Sequence, residues 1–461
     1  METLDDTICA IATAIGGAIG IIRVSGTKAI TDVQKIFSKP LAEKKSHTLT
    51  YGNILDKQGH VIDEVLVSIF RNPHSYTGED SVEISCHGSR YILQKILERL
   101  GEAGCRQAGP GEFTKRAFLH GKMDLSQAEA VADLIASRTS SNHRTALNQL
   151  RGGISNQLAL LRNKLLKITS LLELELDFSE EDVTFANKDE LYTLTREIND
   201  EITRLLHSFQ LGNALKNGIP VAIVGETNAG KSTLLNALLH EEKAIVSDIH
   251  GTTRDTIEDT VNINGVEFRF IDTAGIRKSD DKIELLGIRK TFQKLNQADI
   301  VLWVVDSTSS AEHWEQVKSE LSQHCEGKHV FLLLNKCDLP TSHLTAATID
   351  LSGLQAEQIL PISAKKGTGM DRLQELLVSI ADIPDLSESD VIITNARHAT
   401  ALMKAQESLH RVQEGLDTGL SGDLIAEDLR QCLEYLGEIT GQSITNDEVL
   451  KSIFKNFCIG K

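Results

Sequence analysis

Aromatic side chains and surplus positive charge are what this sequence has least of. Phe, Trp and Tyr make up 4% of the 461 residues, and 48 Lys and Arg stand against 65 Asp and Glu, for a formal net charge of −17. Proteins that bind single-stranded nucleic acid combine a basic groove with aromatic side chains that stack on the bases. Binding to RNA would therefore require a local basic patch on an acidic chain. The same charge disfavours binding to a membrane surface.

Paired cysteines and long apolar runs are missing as well. The cysteines are odd in number and form no C-x-x-C pair, which argues against a disulfide framework or a zinc site and favours a reducing cytoplasm. Residues 8–22 are nearly uncharged but too short to span a bilayer, and they follow acidic residues and contain glycines. We predict a strand, a glycine turn and a second strand there. The cysteines are Cys9, Cys86, Cys105, Cys325, Cys337, Cys432 and Cys458.

The motif around which the chain is organised is the segment 225–232, which fits G-x-x-x-x-G-K-S. The apolar run 219–224 predicts a buried strand before it, and residues 233–239 predict a helix after it, which is the context that a phosphate-binding loop needs. Its glycines let backbone N–H groups converge on phosphate oxygens at a helix N-terminus. Lys231 would add positive charge at the β- and γ-phosphates, and Ser232 would reach Mg²⁺.

Three further motifs follow in the order typical of GTPases. They are D-T-A-G at residues 272–275, N-K-C-D at 335–338 and S-A-K at 363–365. Asp338 could accept hydrogen bonds from both N1–H and the exocyclic amine of guanine, a donor pair that adenine lacks. Four motifs in this order on strand ends predict GTP rather than ATP. The predicted strands before the three later motifs cover residues 266–271, 329–334 and 359–362.

The predicted nucleotide site also includes the first switch, where Thr252 or Thr253 would close on Mg²⁺. Arg254 in that switch is either an arginine finger or part of a structural ion pair. The full predicted set is Asn228, Ala229, Gly230, Lys231, Ser232, Thr233, Ser247, Asp248, Ile249, His250, Gly251, Thr252, Thr253, Asp272, Thr273, Ala274, Gly275, Asn335, Lys336, Asp338, Ser363, Ala364 and Lys365.

A side chain that orients the attacking water is missing from its usual position. The residue after D-T-A-G is Ile276, where GTPases of the Ras type carry Gln. Intrinsic hydrolysis should therefore be slow unless another residue positions the water. The segment that follows is either a plain charged loop or the source of that residue, and its candidates are Asp280, Asp281 and Glu284.

The pattern of elements predicts a multidomain protein of α/β and α segments. Residues 1–122 show short β-type runs with helices between them, which predicts an α+β domain. Residues 123–216 and 381–461 are helical, and they flank the α/β GTPase segment 217–380. The simplest arrangement is a helical domain that is split in sequence, with a Ras-like P-loop GTPase domain inserted into it.

Three local features leave alternatives open or exclude them. Residues 101–104 fit the G-x-x-G of a KH loop, but Glu102 would repel phosphate, so we exclude that reading. Residues 458–461 do not fit a prenylation box, which leaves a frayed tail or one that brings a thiol and a carboxylate into a site. Basic residues in the helical region are either a solvated face or a shallow patch facing RNA. They are Arg138, His143, Arg144, Arg151, Arg162, Lys164 and Lys167.

Over its whole length the sequence resembles the MnmE (TrmE) family of bacterial tRNA-modifying GTPases. The C-x-G-K ending is the most specific of the motifs, because other GTPases lack it. The motifs that carry the resemblance lie at residues 6–8, 76–80, 111–114, 228–232, 251–255 and 458–461.

The resemblance implies an N-terminal folate-binding-like domain that also forms the homodimer. Arg23, Glu83, Lys122 and Lys461 would contact 5-formyl-tetrahydrofolate or a related one-carbon tetrahydrofolate. The resemblance also implies a flavin enzyme, MnmG (GidA), as partner. Together they would add a carboxymethylaminomethyl or aminomethyl group to carbon 5 of the tRNA wobble uridine. Cys458 is a candidate for that chemistry, by analogy with thiol attack on uridine rings.

In the GTPase domain, the resemblance implies that K⁺ replaces an arginine finger. GTP domains of one dimer would meet across the nucleotide, and Glu284 would position the water through a bridge, which compensates for Ile276. The implied ligands are Asn228, Ser247, Ile249 and Thr252 for K⁺, and Ser232 and Thr253 for Mg²⁺.

A binding module is the alternative to this enzyme. Ribosome-assembly GTPases of the Era or Der type also carry Ile or Leu after D-x-x-G. Era-like proteins append a basic KH domain and Der-like proteins repeat the GTPase domain. This chain has one GTPase domain, no credible KH loop and an acidic charge, which favours the tRNA-modifying enzyme.

Overall fold

The computed structural model describes most of the chain in two compact units. One unit comprises Met1–Ala136, Ala146–Thr203 and Thr400–Lys461, and the other comprises Ser137–Thr145 and Arg204–Ala399. The residues described are 6–177, 188–226, 228–242, 259–271, 297–309, 328–340, 356–381, 390–442, 453, 454, 457 and 460.

The N-terminal part is a six-stranded, mostly antiparallel sheet. Its order is β3-β4-β5-β2-β1-β6, in which only the β1–β6 pair is parallel. The predicted strand, glycine turn and strand over residues 8–22 is confirmed. The strands are β1 (Ile8–Ile11), β2 (Ile19–Ser25), β3 (Thr48–Leu55), β4 (Val61–Phe70), β5 (Ser81–His87) and β6 (Arg106–Gln107).

Three helices belong to this part: α1 (Ala29–Gln34), α2 (Arg90–Ala103) and α3 (Glu112–Leu119). The inner face of the sheet carries alternating β-branched residues, which share one core with apolar side chains of α1 and α2. The outer face leaves Leu49, Tyr51 and Leu66 exposed.

The residues that fit a KH loop end helix α2. Gly104 caps the helix in the left-handed conformation, at φ 116°. A glycine is favoured there because it has no Cβ to clash with the backbone.

Helices follow as predicted: α4 (Leu125–Ala136), α5 (Ser140–Leu150), α6 (Gly153–Asp177) and α7 (Lys188–Asn217). Two of the basic side chains on α6 are paired with acidic side chains of α7. Lys164 Nζ lies 2.6 Å from Glu197, and Lys167 Nζ lies 2.7 Å from Glu190. Since these lysines are already neutralised, the pairs favour the solvated-face reading of the basic residues over the RNA-facing patch.

The GTPase segment forms a second six-stranded sheet of order β12-β11-β10-β7-β9-β8, parallel except for the edge strand β8. The middle strands are buried on both faces, as parallel strands usually are, and successive side chains enter two different hydrophobic clusters. The elements are β7 (Ile219–Gly225), α8 (Lys231–Glu242), β8 (Asp259–Ile263), β9 (Val266–Phe270), β10 (Ile300–Asp306), β11 (His329–Asn335), β12 (Ala356–Pro361) and α9 (Met370–Ala381).

The chain returns to helices at α10 (Ala396–Thr418) and α11 (Gly422–Thr440), and α11 packs along α6. Gly441 ends α11 at φ 84°, and a Cβ there would lie 2.8 Å from the Phe118 ring. The predicted helix over residues 445–453 falls almost entirely outside the described residues. Among the helices that are described, none combines the length and the apolar character needed to cross a membrane.

Candidate functional site

The phosphate-binding motif lies between a buried strand and a helix, as its sequence predicts. It begins at Gly225, the last residue of β7, and α8 starts at Lys231. A Cβ on Gly225 would lie 2.2 Å from Val304 O, and one on Gly230 would lie 2.1 Å from Asn335 Nδ2. Both glycines also have positive φ angles, 144° and 100°. The loop therefore needs glycine at both positions.

Lys231 is held by the loop itself. Its ammonium donates hydrogen bonds of 2.6 Å to the backbone oxygens of Gly225 and Glu226. A phosphate oxygen at this helix N-terminus would compete with those carbonyl groups for a cation that is already in place. The donor set thus fits a nucleotide phosphate. Ser232 follows as the second residue of α8, and Thr233 is exposed on it.

Asn335 joins two of the predicted motifs to the end of β11. Its Nδ2 donates to Ala229 O at 2.8 Å, and its Oδ1 accepts from Ala364 N–H at 3.0 Å. The side chain is only 3% exposed. Sequence reasoning grouped Asn335 with the nucleotide contacts, whereas its amide is used here to fix the phosphate-binding loop against the 363–365 turn.

Asp338, the predicted guanine acceptor, lies beside the same turn. A hydrogen bond from Ser363 holds the pKa of Asp338 below its usual value. Lys366 lowers this pKa as well, whereas desolvation raises it by less than these contacts lower it. Lys366 Nζ lies 3.3 Å from Asp338 Oδ2. The carboxylate is therefore ionised at neutral pH, as an acceptor of two N–H groups must be. Lys366 was missed from the sequence because it follows S-A-K instead of belonging to it.

The neighbouring Lys336 is oriented by an ion pair. Its backbone is left-handed at φ 65°, and its ammonium binds the Asp306 carboxylate at the end of β10. Desolvation raises the pKa of Asp306, but hydrogen bonds from Lys336 and Thr308 together lower it by more, so the net shift is downward. Lys365, the last residue of S-A-K, is exposed.

Much of the rest of the predicted GTP site lies outside the described residues, as do two of the predicted residues near the C-terminus. Within the described part of the chain, no group of three or more His, Cys, Asp or Glu could hold a metal ion. The predicted site residues outside the described part are Ser247, Asp248, Ile249, His250, Gly251, Thr252, Thr253, Asp272, Thr273, Ala274, Gly275, Glu284, Cys458 and Lys461.

A second candidate site lies on the N-terminal sheet, where Arg23 of β2 pairs with Glu83 of β5. The guanidinium donates to Glu83 Oε1 from Nε at 2.9 Å and from Nη2 at 2.8 Å. The rings of Tyr76 and Phe113 lie 5.4 and 5.8 Å from the same guanidinium. Phe113 is fully buried and Tyr76 is partly exposed, so the charged pair together with the Tyr76 ring suits a planar ligand with hydrogen-bonding edges.

Gly460 reaches this second site from the far end of the sequence. Its carbonyl oxygen accepts a hydrogen bond of 3.3 Å from Arg23 Nη1. Its φ is 98°, and a Cβ would lie 2.4 Å from Ile11 O. The tail, of which Phe454, Phe457 and Gly460 are described, also packs closely against Gly111. A Cβ on Gly111 would lie 2.8 Å from Phe457 Cβ.

Of the predicted folate residues, Arg23 and Glu83 are therefore brought together. Lys122 donates instead to Pro73 O at 3.0 Å, in the loop that leads to Tyr76.

Two polar segments, residues 76–81 and 109–116, meet in a buried network beside the Arg23–Glu83 pair. Sequence spacing alone did not reveal this network. Arg116 of α3 pairs with Glu79, and Ser25 Oγ donates to Glu79 Oε2 at 2.8 Å. Arg116 also pairs with Asp6 and with Glu112. Only the opposite charges in these segments could have indicated that they meet.

Comparison with known proteins finds matches that together cover almost the whole chain. The model for the MnmE helical domain matches residues 125–458, and that for the GTP-binding protein TrmE N-terminus matches residues 7–122. Proteins called tRNA modification GTPase MnmE from Bacteroides thetaiotaomicron and Phocaeicola vulgatus are 57% and 56% identical, each over 99% of both chains.

Similarity to solved structures is more distant. Era from Aquifex aeolicus, bound to GDP and AlF₄⁻, is 30% identical over 41% of this chain and 66% of that one, with a TM-score of 0.24. The family assignment therefore rests on the full-length sequence matches. By these matches, the chain belongs to the MnmE family of tRNA modification GTPases, which are GTP hydrolases.

Proposed function

We propose that the protein is a K⁺-activated GTPase whose hydrolysis depends on dimerisation and serves modification of the tRNA wobble uridine. Acting with the flavin enzyme MnmG (GidA), it would add a carboxymethylaminomethyl or aminomethyl group at carbon 5. Cys9, Cys86 and Cys105 are free thiols, which supports a cytoplasmic location for this reaction. The observation that carries the proposal is the hydrogen bond between Arg23 and Gly460, because it joins the Arg23–Glu83 ion pair of the second candidate site to the C-terminal tail.

In the GTPase domain, Lys231 holds the β- and γ-phosphates, while Asp338 selects guanine. Ser232 and Thr253 would hold Mg²⁺, and Asn228, Ser247, Ile249 and Thr252 would hold K⁺. When bound, these ions would supply positive charge that offsets the charge developing on the phosphates. The left-handed backbone of Asn228, at φ 66°, supports its assignment to a tight turn beside the nucleotide.

Glu284 positions the attacking water in this proposal, since Ile276 has no polar group. Purified protein should hydrolyse GTP faster in K⁺ than in Na⁺. The variant Glu284→Ala should lose hydrolysis while its nucleotide affinity stays near that of the wild type. A Glu284→Ala protein with normal turnover would remove Glu284 from the mechanism.

In the N-terminal domain, Arg23 and Glu83 bind the edge of a one-carbon tetrahydrofolate, and Lys122 and Lys461 complete the site. The partly exposed Tyr76 ring beside Arg23 supports a planar ligand there. The Arg23 bond to Gly460 supports the proposed roles of Cys458 and Lys461, which are close to Gly460 in the sequence. Cys458 would then act as a nucleophile on uridine or serve only to position the tail.

The outer face of the N-terminal sheet supports the homodimer. Leu49, Tyr51 and Leu66 are 60%, 53% and 39% exposed, and Tyr51 and Leu66 are direct cross-strand partners. Such a two-strand apolar face is typical of an interface. Leu66→Glu should yield monomers in sedimentation analysis. Leu160→Glu, at a position 59% exposed on α6, is the matched control and should leave the dimer intact.

The experiment that tests the whole proposal is nucleoside analysis of tRNA from cells that lack the gene. Complementation with wild type should restore the wobble modification. Arg23→Gln should not restore it, although its GTP hydrolysis is retained. Arg90→Gln, at an exposed position on α2, is the matched control and should restore it.

Cys458→Ser separates the two roles of the thiol. Complementation with this variant should not restore the wobble modification if the sulfur attacks uridine, and should restore it if the tail only positions other groups. If the wobble modification never depended on the gene, the proposal would be overturned in favour of a ribosome-assembly GTPase.

A further inference from the structure

The carboxylate of Asp338 has more acceptor positions than guanine would use. An ionised carboxylate offers about four lone-pair positions, of which N1–H and the exocyclic amine of guanine would take two. In the structure, Ser363 and Lys366 lie on this same carboxylate. The two sets of partners can therefore be present together, and the protein groups can hold the acceptor in place before the base arrives.

The turn that carries Lys366 is fixed by its own backbone. Ser363 N–H donates to Thr368 O at 2.9 Å, and Lys366 N–H donates to Ser363 O at 3.1 Å. Gly367 follows with φ 76°. Ser363 is 1% exposed. The Lys366 side chain therefore starts from an anchored backbone position, although 62% of it is exposed.

The two residues differ in what they offer to the carboxylate. Ser363 gives a neutral hydrogen bond from a buried position, whereas Lys366 gives a positive charge 3.3 Å from Oδ2. A charged donor binds an ionised acceptor more strongly than a neutral donor does and also opposes its protonation.

We propose that Lys366 is a positioning residue for guanine selection, which orients Asp338 through the ion pair and does not contact the nucleotide. This inference rests on the proposed role of Asp338 as the guanine acceptor. Because the Lys366 side chain is 62% exposed, although that of Asp338 is only 17% exposed, the expected effect is moderate: Lys366→Ala should weaken GDP binding by about two- to fivefold. Lys366→Arg, which keeps the charge, should retain most of the affinity. The effect of Lys366→Ala should also shrink at high ionic strength.

A double-mutant cycle on the full-length protein distinguishes an effect through Asp338 from a direct one. Asp338→Asn should exchange preference for GDP for preference for xanthosine diphosphate, because the amide donates where the carboxylate accepted. In that background the carboxylate is gone, so adding Lys366→Ala should leave the affinity for xanthosine diphosphate unchanged. Arg372→Ala removes one exposed positive charge near the start of α9 and is the control for net charge.

The outcomes separate the two levels of the argument. One outcome is that Lys366→Ala weakens xanthosine diphosphate binding in the Asp338→Asn protein as much as it weakens GDP binding in the wild type. In that case Lys366 touches the nucleotide, and the positioning role is overturned. The role is equally overturned if GDP binding is unchanged in Lys366→Ala while Asp338→Asn switches the preference. If Asp338→Asn does not switch the preference, the guanine assignment of Asp338 itself is wrong, and the inference about Lys366 falls with it.

Discussion

Arg116 and Glu79 form an ion pair that is almost fully withdrawn from solvent. Their side chains are 2% and 5% exposed, and Arg116 Nη1 lies 3.1 Å from Glu79 Oε1. The pair links helix α3 to the loop before β5, and both segments border the site that holds Arg23 and Tyr76. It is the central contact of the buried network behind that site.

Removing Arg116 should destabilise the N-terminal part of the protein. Arg116→Met leaves the Glu79 charge buried without its partner, which typically costs about 3–5 kcal/mol. We expect a loss of that size in the free energy of unfolding, measured by urea denaturation with a probe in the N-terminal sheet.

Arg106→Met is the matched control for that variant. Arg106 pairs with Asp6 and Glu112 too, but its side chain is 51% exposed. Ion pairs at such positions contribute about 0–1 kcal/mol. Equal destabilisation by Arg116→Met and Arg106→Met would contradict the assignment of the buried pair as the main contributor.

The same network should make stability depend on pH at the acidic end. Desolvation raises the pKa of Asp6, but the hydrogen bonds and positive charges of Arg106 and Arg116 together lower it by more, so the net shift is downward. A carboxyl whose pKa is lower in the folded state stabilises the fold above its unfolded pKa, about 3.9 for Asp, and this contribution is lost as the pH falls through its folded pKa.

Thermal denaturation between about pH 3 and pH 6 checks this expectation. The wild type should lose stability below about pH 4, and Asp6→Asn should lose less over the same range because its side chain does not titrate. The wild type and Asp6→Asn would show parallel pH profiles if Asp6 had no part in the acid sensitivity.

The phosphate-binding loop gives a prediction about affinity. Gly230→Ala would place a Cβ 2.1 Å from Asn335 Nδ2, and the positive φ adds strain. Moving Asn335 would break its bonds to Ala229 and Ala364. We expect at least a tenfold loss of GDP affinity, since two hydrogen bonds of about 1 kcal/mol each are at stake.

Fluorescence titration with a labelled GDP measures this loss. Gly265→Ala, between β8 and β9, is the control, since Gly265 also has a positive φ, 86°, but a Cβ there would have its nearest neighbour at an ordinary 3.5 Å. If Gly265→Ala and Gly230→Ala weakened GDP binding equally, backbone strain would explain the effect and the Asn335 contact would not.

The sequence predicted the GTPase segment well because its signals are local. A buried strand, a glycine loop and a helix follow one another within residues 219–242, and apolar runs mark the parallel strands. The N-terminal site could not be predicted from spacing, because its contacts join distant residues. Arg23 is 60 residues from Glu83 and 437 from Gly460. Only the family resemblance suggested that Arg23 and Glu83 meet.

Strand β3 shows a different limit of the sequence. Residues 48–55 alternate between buried and partly or fully exposed side chains, but they include Gly52 and Asn53, which are uncommon in strands. Gly52 is required by packing, because a Cβ there would lie 2.5 Å from the Phe37 ring. A tertiary contact thus overrides the local preference at that position.

Gly460 allows the docking of the tail to be tested separately from its chemistry. Gly460→Ala would place a Cβ 2.4 Å from Ile11 O at a φ of 98°, so the tail should leave its position and Arg23 should lose the carbonyl oxygen that it binds. If the docked tail completes the folate site, undocking removes at least one hydrogen bond between a charged group and the ligand, which contributes about 1.5–3 kcal/mol, and affinity for 5-formyl-tetrahydrofolate should fall at least tenfold. Isothermal titration calorimetry measures the affinity, and limited proteolysis near the C-terminus reports undocking without any ligand.

Gly101→Ala, in α2 with nothing within 4 Å of the added Cβ, is the control. Faster proteolysis with unchanged folate affinity would mean that the tail docks beside the site without taking part in binding.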